Sequence, residues 1–228
     1  MITVKLPSSG KEIQLRDVTV EVALELARFG KFEEEKAVTF FLNELQSDDA
    51  KAWTIEDRQL ITLLLYFEAG GNPEQKFQYN CSHCGEKHSF PVELPRLVST
   101  CQSLKIPLPS FEFLDQSWSL RPLNGRHAEI LEEHELERGR YEKNSSEYRQ
   151  ATTQLKLLQL QMMTWDEEKK RTEKMTWKEF LVFSDLVKVG IPALKHGMEL
   201  KAEHSCPKEG DVSQIAIPFS ANDYLPQL

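Results

Sequence analysis

Two halves of this 228-residue sequence carry the same local signals in the same order. Leu15-Arg16 stands just before Thr19, a helix-capping residue type, and Leu120-Arg121 stands just before Asn124, another, at an offset of 105. Thr54-Ile55-Glu56-Asp57 and Thr176-Trp177-Lys178-Glu179 are capping-box patterns 122 residues apart. Cys81 and Cys206 each open a turn that ends in glycine, at an offset of 125. Offsets that grow in one direction are expected of a duplicated unit whose second copy carries an insertion of about seventeen residues. A repeat constrains the fold more than any single motif, because each copy must then form the same supersecondary unit.

The elements inside each half follow from residue patterns. Ile2–Leu6 and Glu12–Leu15 flank the turn cluster Pro7-Ser8-Ser9-Gly10 and read as a hairpin. Thr19 caps a helix with Val20, Ala23, Leu24 and Ala27 at helical spacing, and Val38, Phe41, Leu42 and Leu45 mark the inner face of a second. A third runs from Thr54 until Gly70-Gly71 stops it, and Phe77–Tyr79 and Ser89–Val92 bracket the first cysteine turn as a hairpin. In the second half, Phe111–Phe113 and Trp118–Leu120 read as strands, and Asn124 caps a helix carrying Ile130 and Leu131. A strongly helical, charge-rich stretch over Glu132–Thr172 has Leu155, Leu158 and Met162 as its apolar stripe. Thr176 then opens a helix with Phe180, Phe183, Leu186 and Val187 inward, before the Cys206 turn and the strand-like Ile215–Ile217.

The expected fold is therefore α+β. It consists of two related β-hairpin-plus-helices repeats joined by a zinc-ribbon-like pair of β-knuckles, with a long helical insertion in the second repeat. The boundaries are 1–95 for the first repeat, 96–109 for a proline-rich connector and 110–228 for the second repeat. At about 150 residues per domain, the length also suits one large or two small units.

Composition narrows the function classes. With 28 basic and 36 acidic residues the net charge is −8, so counterion release favours nucleic-acid binding little. The longest apolar stretch, Leu60–Phe67, falls far short of the roughly 20 residues of a membrane span. Met1–Lys5 has no room for a signal-peptide apolar region, and four cysteines do not make a secreted disulfide scaffold, so an intracellular chain is expected.

The cysteines carry the pointed chemistry. Cys81-Ser82-His83-Cys84-Gly85 is a zinc-knuckle sequence: two thiolates three residues apart grip one Zn²⁺, and the glycine allows the tight turn that aims amides at the sulfurs. The repeat alignment makes Cys206-Pro207-Lys208-Glu209-Gly210 its partner, with Glu209 at the position of Cys84. One thiol is missing there. The fourth ligand of a structural Zn²⁺ held by Cys81, Cys84 and Cys206 is then His204 or Glu209, or else His88 from the first hairpin, or the ribbon is degenerate and empty. His204 is preferred, since imidazole suits zinc beside thiolates better than a carboxylate does. A redox CxxC would be expected to open a helix, whereas Gly85 and a β-pattern follow here. Cys101, in the connector, has no sequence partner and reads as a buried free cysteine.

No catalytic pattern stands beside this. His127 and His134 share a helix face without a carboxylate–histidine motif, and there is no phosphate loop or nucleophile elbow. Glu33-Glu34-Glu35, Glu132-Glu133 and Asp166–Arg171 read as solvated helix charge.

Leu6-Pro7-Ser8-Ser9-Gly10-Lys11, followed by Leu15-Arg16 and a Thr-led helix, resembles the N-terminus of T-even-type bacteriophage baseplate hub and hub-assembly proteins. The Cys81–Gly85 turn followed by a hydrophobic strand and Glu93-Leu94 is similar to theirs as well. The resemblance implies a non-enzymatic hub component or an assembly factor (a chaperone) for tail baseplate morphogenesis. It would bind other phage baseplate hub and tail proteins in the host cytoplasm, with a possible place in the virion baseplate, and neither nucleic acid nor membrane. Partner contacts are expected along Glu132–Lys174. The competing readings are a zinc-ribbon nucleic-acid or transcription adaptor, using the weak basic set Lys76, His83, Lys87, His88 and Arg96, and a metal-dependent enzyme with an open zinc position.

Overall fold

The computed structural model describes residues 1–30, 32–206, 208, 210 and 212–226. The chain begins with a hairpin, β1 (Ile2–Lys5) against β2 (Glu12–Leu15), in a register that sets Val4 opposite Ile13. Strand alternation turns Val4, Ile13 and Leu15 to the same buried side. Three helices follow: α1 (Val20–Leu26), α2 (Glu34–Leu45) and α3 (Ile55–Glu68), with a 3-10 turn at Ala50–Ala52 before the last. A second hairpin, β3 (Glu74–Asn80) with β4 (Lys87–Glu93), leads into the short helix α4 (Leu94–Ser99).

Beyond the connector the order is similar. A hairpin of β5 (Ser110–Phe113) and β6 (Gln116–Ser119) precedes α5 (Gly125–Gly139) and α6 (Ser146–Met163). A 3-10 turn at Arg171–Lys174 precedes α7 (Trp177–Gly190), and β7 (Lys201–Ser205) with β8 (Val212–Ala216) forms the last hairpin. The protein is thus a mixed α+β fold whose described sheets are all two-stranded and antiparallel. Among the described residues no helix is long and apolar enough to cross a membrane.

Three apolar clusters hold these elements together. The first packs β1–β2 under α2 and against Ile61 and Leu65 of α3, and takes Ala221 and Leu225 from the chain's end. The second joins Leu60 and Leu63 of α3 to Phe77 and Phe90 of the β3–β4 hairpin, and again takes late residues, Met198, Ile217 and Tyr224. The third lies within the second half, where Trp118 and Leu120 meet Phe180, Phe183 and Val187 of α7. The last hairpin and its tail therefore complete cores built by the first half.

Several local expectations are corrected. Helix α1 buries Val22, Ala23 and Leu26 and leaves Val20 and Leu24 exposed. Its seven residues carry two apolar stripes, and the attachment of the hairpin chooses between them: the Arg16 amide donates to Leu45 O at the end of α2. The charge-rich stretch is not one helix. It breaks at residues 140–145, where Asn144 adopts φ 73° and the Ser145 hydroxyl accepts the Tyr148 amide at 3.0 Å to start α6. The two helices pack on each other as a helical hairpin. Asp166 is fully buried in the following turn rather than solvated, accepting from Thr172 N (2.9 Å), Thr172 Oγ1 (2.9 Å) and Arg171 Nε (2.8 Å).

The acidic pairs are tied down too. Glu132 accepts the Glu34 and Glu35 amides at the start of α2, and Glu34 accepts from Ser220, Ala221 and Asn222 of the tail. Burial pushes the Glu35 carboxyl up despite its ion pair with Arg58 at 3.0 Å. Thr54 caps α3, but Asp57 does not reach back to close a capping box. Its carboxylate holds the Ser8 amide at 2.9 Å and the Ser8 hydroxyl instead.

Candidate metal centre

The tip of the β3–β4 hairpin is built by its register. Asn80 pairs with Lys87 and Tyr79 with His88, leaving Cys81–Glu86 as the turn. The Cys81 amide donates to Glu86 O at 2.8 Å and the Gly85 amide to Cys81 O at 2.9 Å. Gly85 has φ 73°, a conformation that residues with a Cβ rarely adopt. The β7–β8 hairpin ends in the same way: Gly210, at φ 78°, donates to Cys206 O at 2.8 Å.

These two tips meet. Ligand atoms of Cys81, Cys84, His88 and Cys206 all lie within 4.8 Å of one another, and Cys84 Sγ is 3.1 Å from His88 Nε2. Around a tetrahedral zinc with bonds of about 2.3 Å to sulfur and 2.0 Å to nitrogen, such atoms stand roughly 3.5–3.8 Å apart. The four groups thus need only small shifts to close on one ion. Cys81 and Cys206 are buried, and Cys84 and His88 are half-buried. All four cysteines of the chain are free thiols, so no disulfide competes for the sulfurs.

The donor set fits the metal. Three thiols and one imidazole are the soft, borderline ligands of a closed structural zinc site. The Cys84 and His83 amides are aimed at the Cys81 sulfur; the Cys84 amide contributes most to lowering that thiol's pKa, against the opposing effect of burial. At Cys84 the Glu86 amide also lowers the pKa, but burial and the neighbouring Cys206 and Cys81 sulfurs prevail and the thiol is pushed up. Three sulfurs in one small space repel as thiolates, and a divalent cation would remove that conflict. Two contacts brace the tips from outside: Lys208 pairs with Glu86, and His83 Nε2 lies 2.9 Å from Ser213 Oγ.

The three expected cysteines are brought together, and the imidazole beside them belongs to His88, not His204. His204 lies on β7 two residues before Cys206, opposite Ser213, just as Tyr79 lies two residues before Cys81, opposite His88. Its ring packs against Tyr79 (centroids 5.4 Å apart) and Phe90 (5.5 Å), and its Nε2 is buried without a hydrogen-bond partner. Nearness to Cys206 in sequence suggested His204; the signal for His88 is the spacing Cys81-x-x-Cys84-x-x-x-His88, which returns the strand's side chain to the turn it left. Glu209 lies outside the described residues. Cys101 sits apart, packed against the second core, and burial raises its pKa. His127 serves in a helix cap, its Nδ1 accepting the Asn124 amide, while burial and then Arg121 lower its pKa.

Residues 1–105 match the model of a family described as T4 bacteriophage base plate protein. The matched span runs from the first hairpin through α4 and includes Cys81, Cys84 and His88; Cys206 falls beyond it. No curated protein and no solved structure matches the chain. Ser8, in the turn that Asp57 holds, and Arg16, which ties the hairpin to α2, both lie in the matched segment. Over residues 1–105 this chain is similar to the T4 bacteriophage base plate protein family, and that likeness supports a phage baseplate-related protein.

Proposed function

We propose that this protein works without catalysis, as a hub component or an assembly factor of the tail baseplate. It would bind other baseplate hub and tail proteins, rather than nucleic acid or membrane, in the host cytoplasm or in the virion. The family match over residues 1–105 carries this reading. The docking surface we propose is Glu132–Lys174, where the halves differ most: α5 has 15 residues against 7 in α1, and α6 has 18 against 12 in α2. Pull-down with the tagged protein from phage-infected cells should capture baseplate proteins, and shortening the α5–α6 hairpin should abolish that capture. Recovery of no tail protein, or salt-sensitive retention of DNA in place of one, would overturn the proposal.

The same reading includes a duplication, residues 1–95 and 110–228 joined by 96–109, and a zinc ion that clips the two copies. Supporting the duplication, Arg16 donates its amide to Leu45 O (2.8 Å) and its guanidinium to Glu44 O (2.8 Å). Arg121 donates its amide to Met163 O (2.9 Å) and Nε to Met162 O (2.6 Å). In each half an arginine following the first hairpin thus fastens to the last two carbonyls of the second long helix. Supporting zinc are the three thiols and the His88 imidazole at the joined knuckles. When bound, the ion would supply architecture: four ligands in a closed shell with no open position for a substrate. Metal analysis of the purified chain should find one zinc per protein.

A further inference from the structure

Helices α2 and α5, from different halves, pack on each other and leave a groove open at one end. One wall is the start of α2 with Phe32 and Glu33 just before it, and the other is the last two turns of α5. The walls are pinned to each other. Glu132 of α5 accepts the Glu34 and Glu35 amides at 2.9 and 3.2 Å, and Lys36 pairs with Glu133 at 2.9 Å. The space between them is about 810 Å³, the size of sites that take a few side chains rather than a whole domain. Its apolar surface is Phe32, 61% exposed, and the half-buried Leu136, and at its end Gly139 faces open space.

The polar lining carries a surplus of one charge. Glu33 and Glu34 on the α2 side and Glu132, Glu133 and Glu135 on the α5 side face two cations among the described lining residues, Lys36 and Arg140. Lys36 is already engaged by Glu133. The backbone adds to the surplus, because the α5 glutamates approach the carbonyl end of their helix, the negative end of its dipole, which favours cations. The basic residue of that last turn, Arg138, is itself paired with Glu135. Burial, with a further push from Glu34, raises the Glu132 carboxyl above its ordinary value although it accepts two amides. Carboxylates crowded in this way repel until a cation stands among them. Among the described residues only the cysteine cluster brings metal-ligating side chains close enough for one ion, so a metal is not what these walls are spaced to hold.

We propose that the groove between α2 and α5 takes a short basic segment of another baseplate protein, in which Lys or Arg flank one aliphatic or aromatic side chain. The apolar side chain lies on Phe32 and Leu136, and the cations reach the glutamates of both walls and the carbonyl end of α5. From Glu132 to Gly139 the helix rises about 10 Å, the span of about three residues of extended chain. Charge complementarity of this kind speeds encounter and rejects acidic partners, nucleic acid included, while the apolar anchor holds the complex. The inference rests on the functional reading above and deepens it: α2 becomes a second wall beside the α5–α6 docking surface, and the partner's chemistry is specified.

The test is photocrosslinking of the full chain in phage-infected cells. Phe32 is replaced by benzoylphenylalanine in one protein, and the exposed Gln154 of α6 in another, and the products are mapped by mass spectrometry. From Phe32 the expected product is a tail or baseplate protein joined within a segment that holds more Lys and Arg than Asp and Glu. The double reversal Glu133→Lys/Glu135→Lys should cut that product by at least about tenfold, since like charges then face each other. These side chains are 59% and 46% exposed, so the substitutions cost the fold little. Glu168→Lys/Glu203→Lys changes the net charge equally at exposed sites elsewhere and should leave the product unchanged. No product at Phe32, a neutral or acidic segment, nucleic acid, or a second copy of this chain overturns the proposal. So does a yield that the groove reversal leaves intact, or one that both reversals cut equally, which would mean attraction by the overall charge of −8. Crosslinks to tail proteins from Gln154 with none from Phe32 would remove this inference and leave the functional reading standing; none from either position would remove both.

Discussion

If zinc occupies the joined knuckles, Cys206 is the one ligand through which it acts on the whole fold. Cys81, Cys84 and His88 lie within eight residues of each other, so an unfolded chain holds the ion with them almost as a folded one does. Metal that binds the folded and unfolded chains equally adds nothing to stability; only differential binding counts. Cys206 comes 125 residues after Cys81, and ligating it from the unfolded chain would require closing that loop. By the chain-entropy relation the closure costs about 5 kcal/mol. In the folded protein the β7–β8 hairpin already places the sulfur, so the metal-dependent stabilisation can reach about 5 kcal/mol and no more. For a chain of this size that corresponds to roughly 10–20 °C in melting temperature. The measurement is thermal unfolding of the wild type and of Cys206→Ala, each zinc-loaded and each chelated. Taking the loaded-minus-chelated difference for each protein cancels the packing cost of the substitution itself. The wild type should show a large difference and Cys206→Ala a small one, with zinc still bound to the variant by the first hairpin. Equal differences in the two proteins would refute the clip and leave the metal a purely local ornament of β3–β4.

Cobalt substitution should separate the two histidines: His88→Ala shifts the visible d–d bands, whereas His204→Ala leaves them in place and lowers stability by about 1 kcal/mol through its lost ring contacts. Gly125→Ala should cost about 1–3 kcal/mol in urea unfolding, because a Cβ there would stand 1.6 Å from Nη1 of the buried Arg58. Asp166→Asn should cost about 3 kcal/mol at neutral pH, since it breaks a buried charge from its Arg171 and Thr172 donors. Although burial alone would raise it, the Asp166 pKa is held below its ordinary value of 3.8 by the Thr172 and Arg171 hydrogen bonds. The stabilising charge is therefore complete above that value and lost as pH falls through the lowered one, so the wild type's advantage over Asp166→Asn should vanish in strong acid.

How much of this was readable beforehand depended on whether the determinant was local. Hairpins, caps and glycine turns rest on neighbours a few residues away, which is why Thr19, Thr54, Asn124 and Thr176 all cap helices where their residue types suggest. The burial of Val22 instead of Val20 was not readable, because an anchor at Leu45 sets it. Nor were the roles of Asp57, Glu34 and Glu132, whose carboxylates serve amides 49, 187 and 98 residues distant. In sequence these carboxylates look like ordinary surface charge. The metal cluster sits between the extremes. Three cysteines were legible from the knuckle and the repeat, but the choice between His88 and His204 required the hairpin register, which turns one ring toward the sulfurs and the other onto Tyr79 and Phe90.

That register also explains why the centre is lopsided. Under the proposed duplication His88 corresponds to Ser213 and Cys84 to Glu209 at the offset of 125, so the β7–β8 hairpin presents one ligand where the β3–β4 hairpin presents three. A two-plus-two ribbon would need the metal to hold its halves together. Here the β7–β8 hairpin is held by other means. Ile217 is buried in the cluster with Phe77 and Phe90, Tyr224 is buried between Tyr66 and Phe219 with its hydroxyl on Gln75 Oε1 at 3.0 Å, and Glu34 gathers the backbone and side chains of Ser220–Asn222. These contacts already bring Cys206 to the first knuckle, so one thiolate is enough to finish the shell. The ion would then fasten an arrangement that packing has built. Removing it should loosen the last hairpin and its tail before the cores beneath α2 and α3, and hydrogen exchange after chelation should rise first at Lys201–Ala216. Simultaneous loss of protection at Phe41 and Ile61 would instead mean that the metal holds the entire fold.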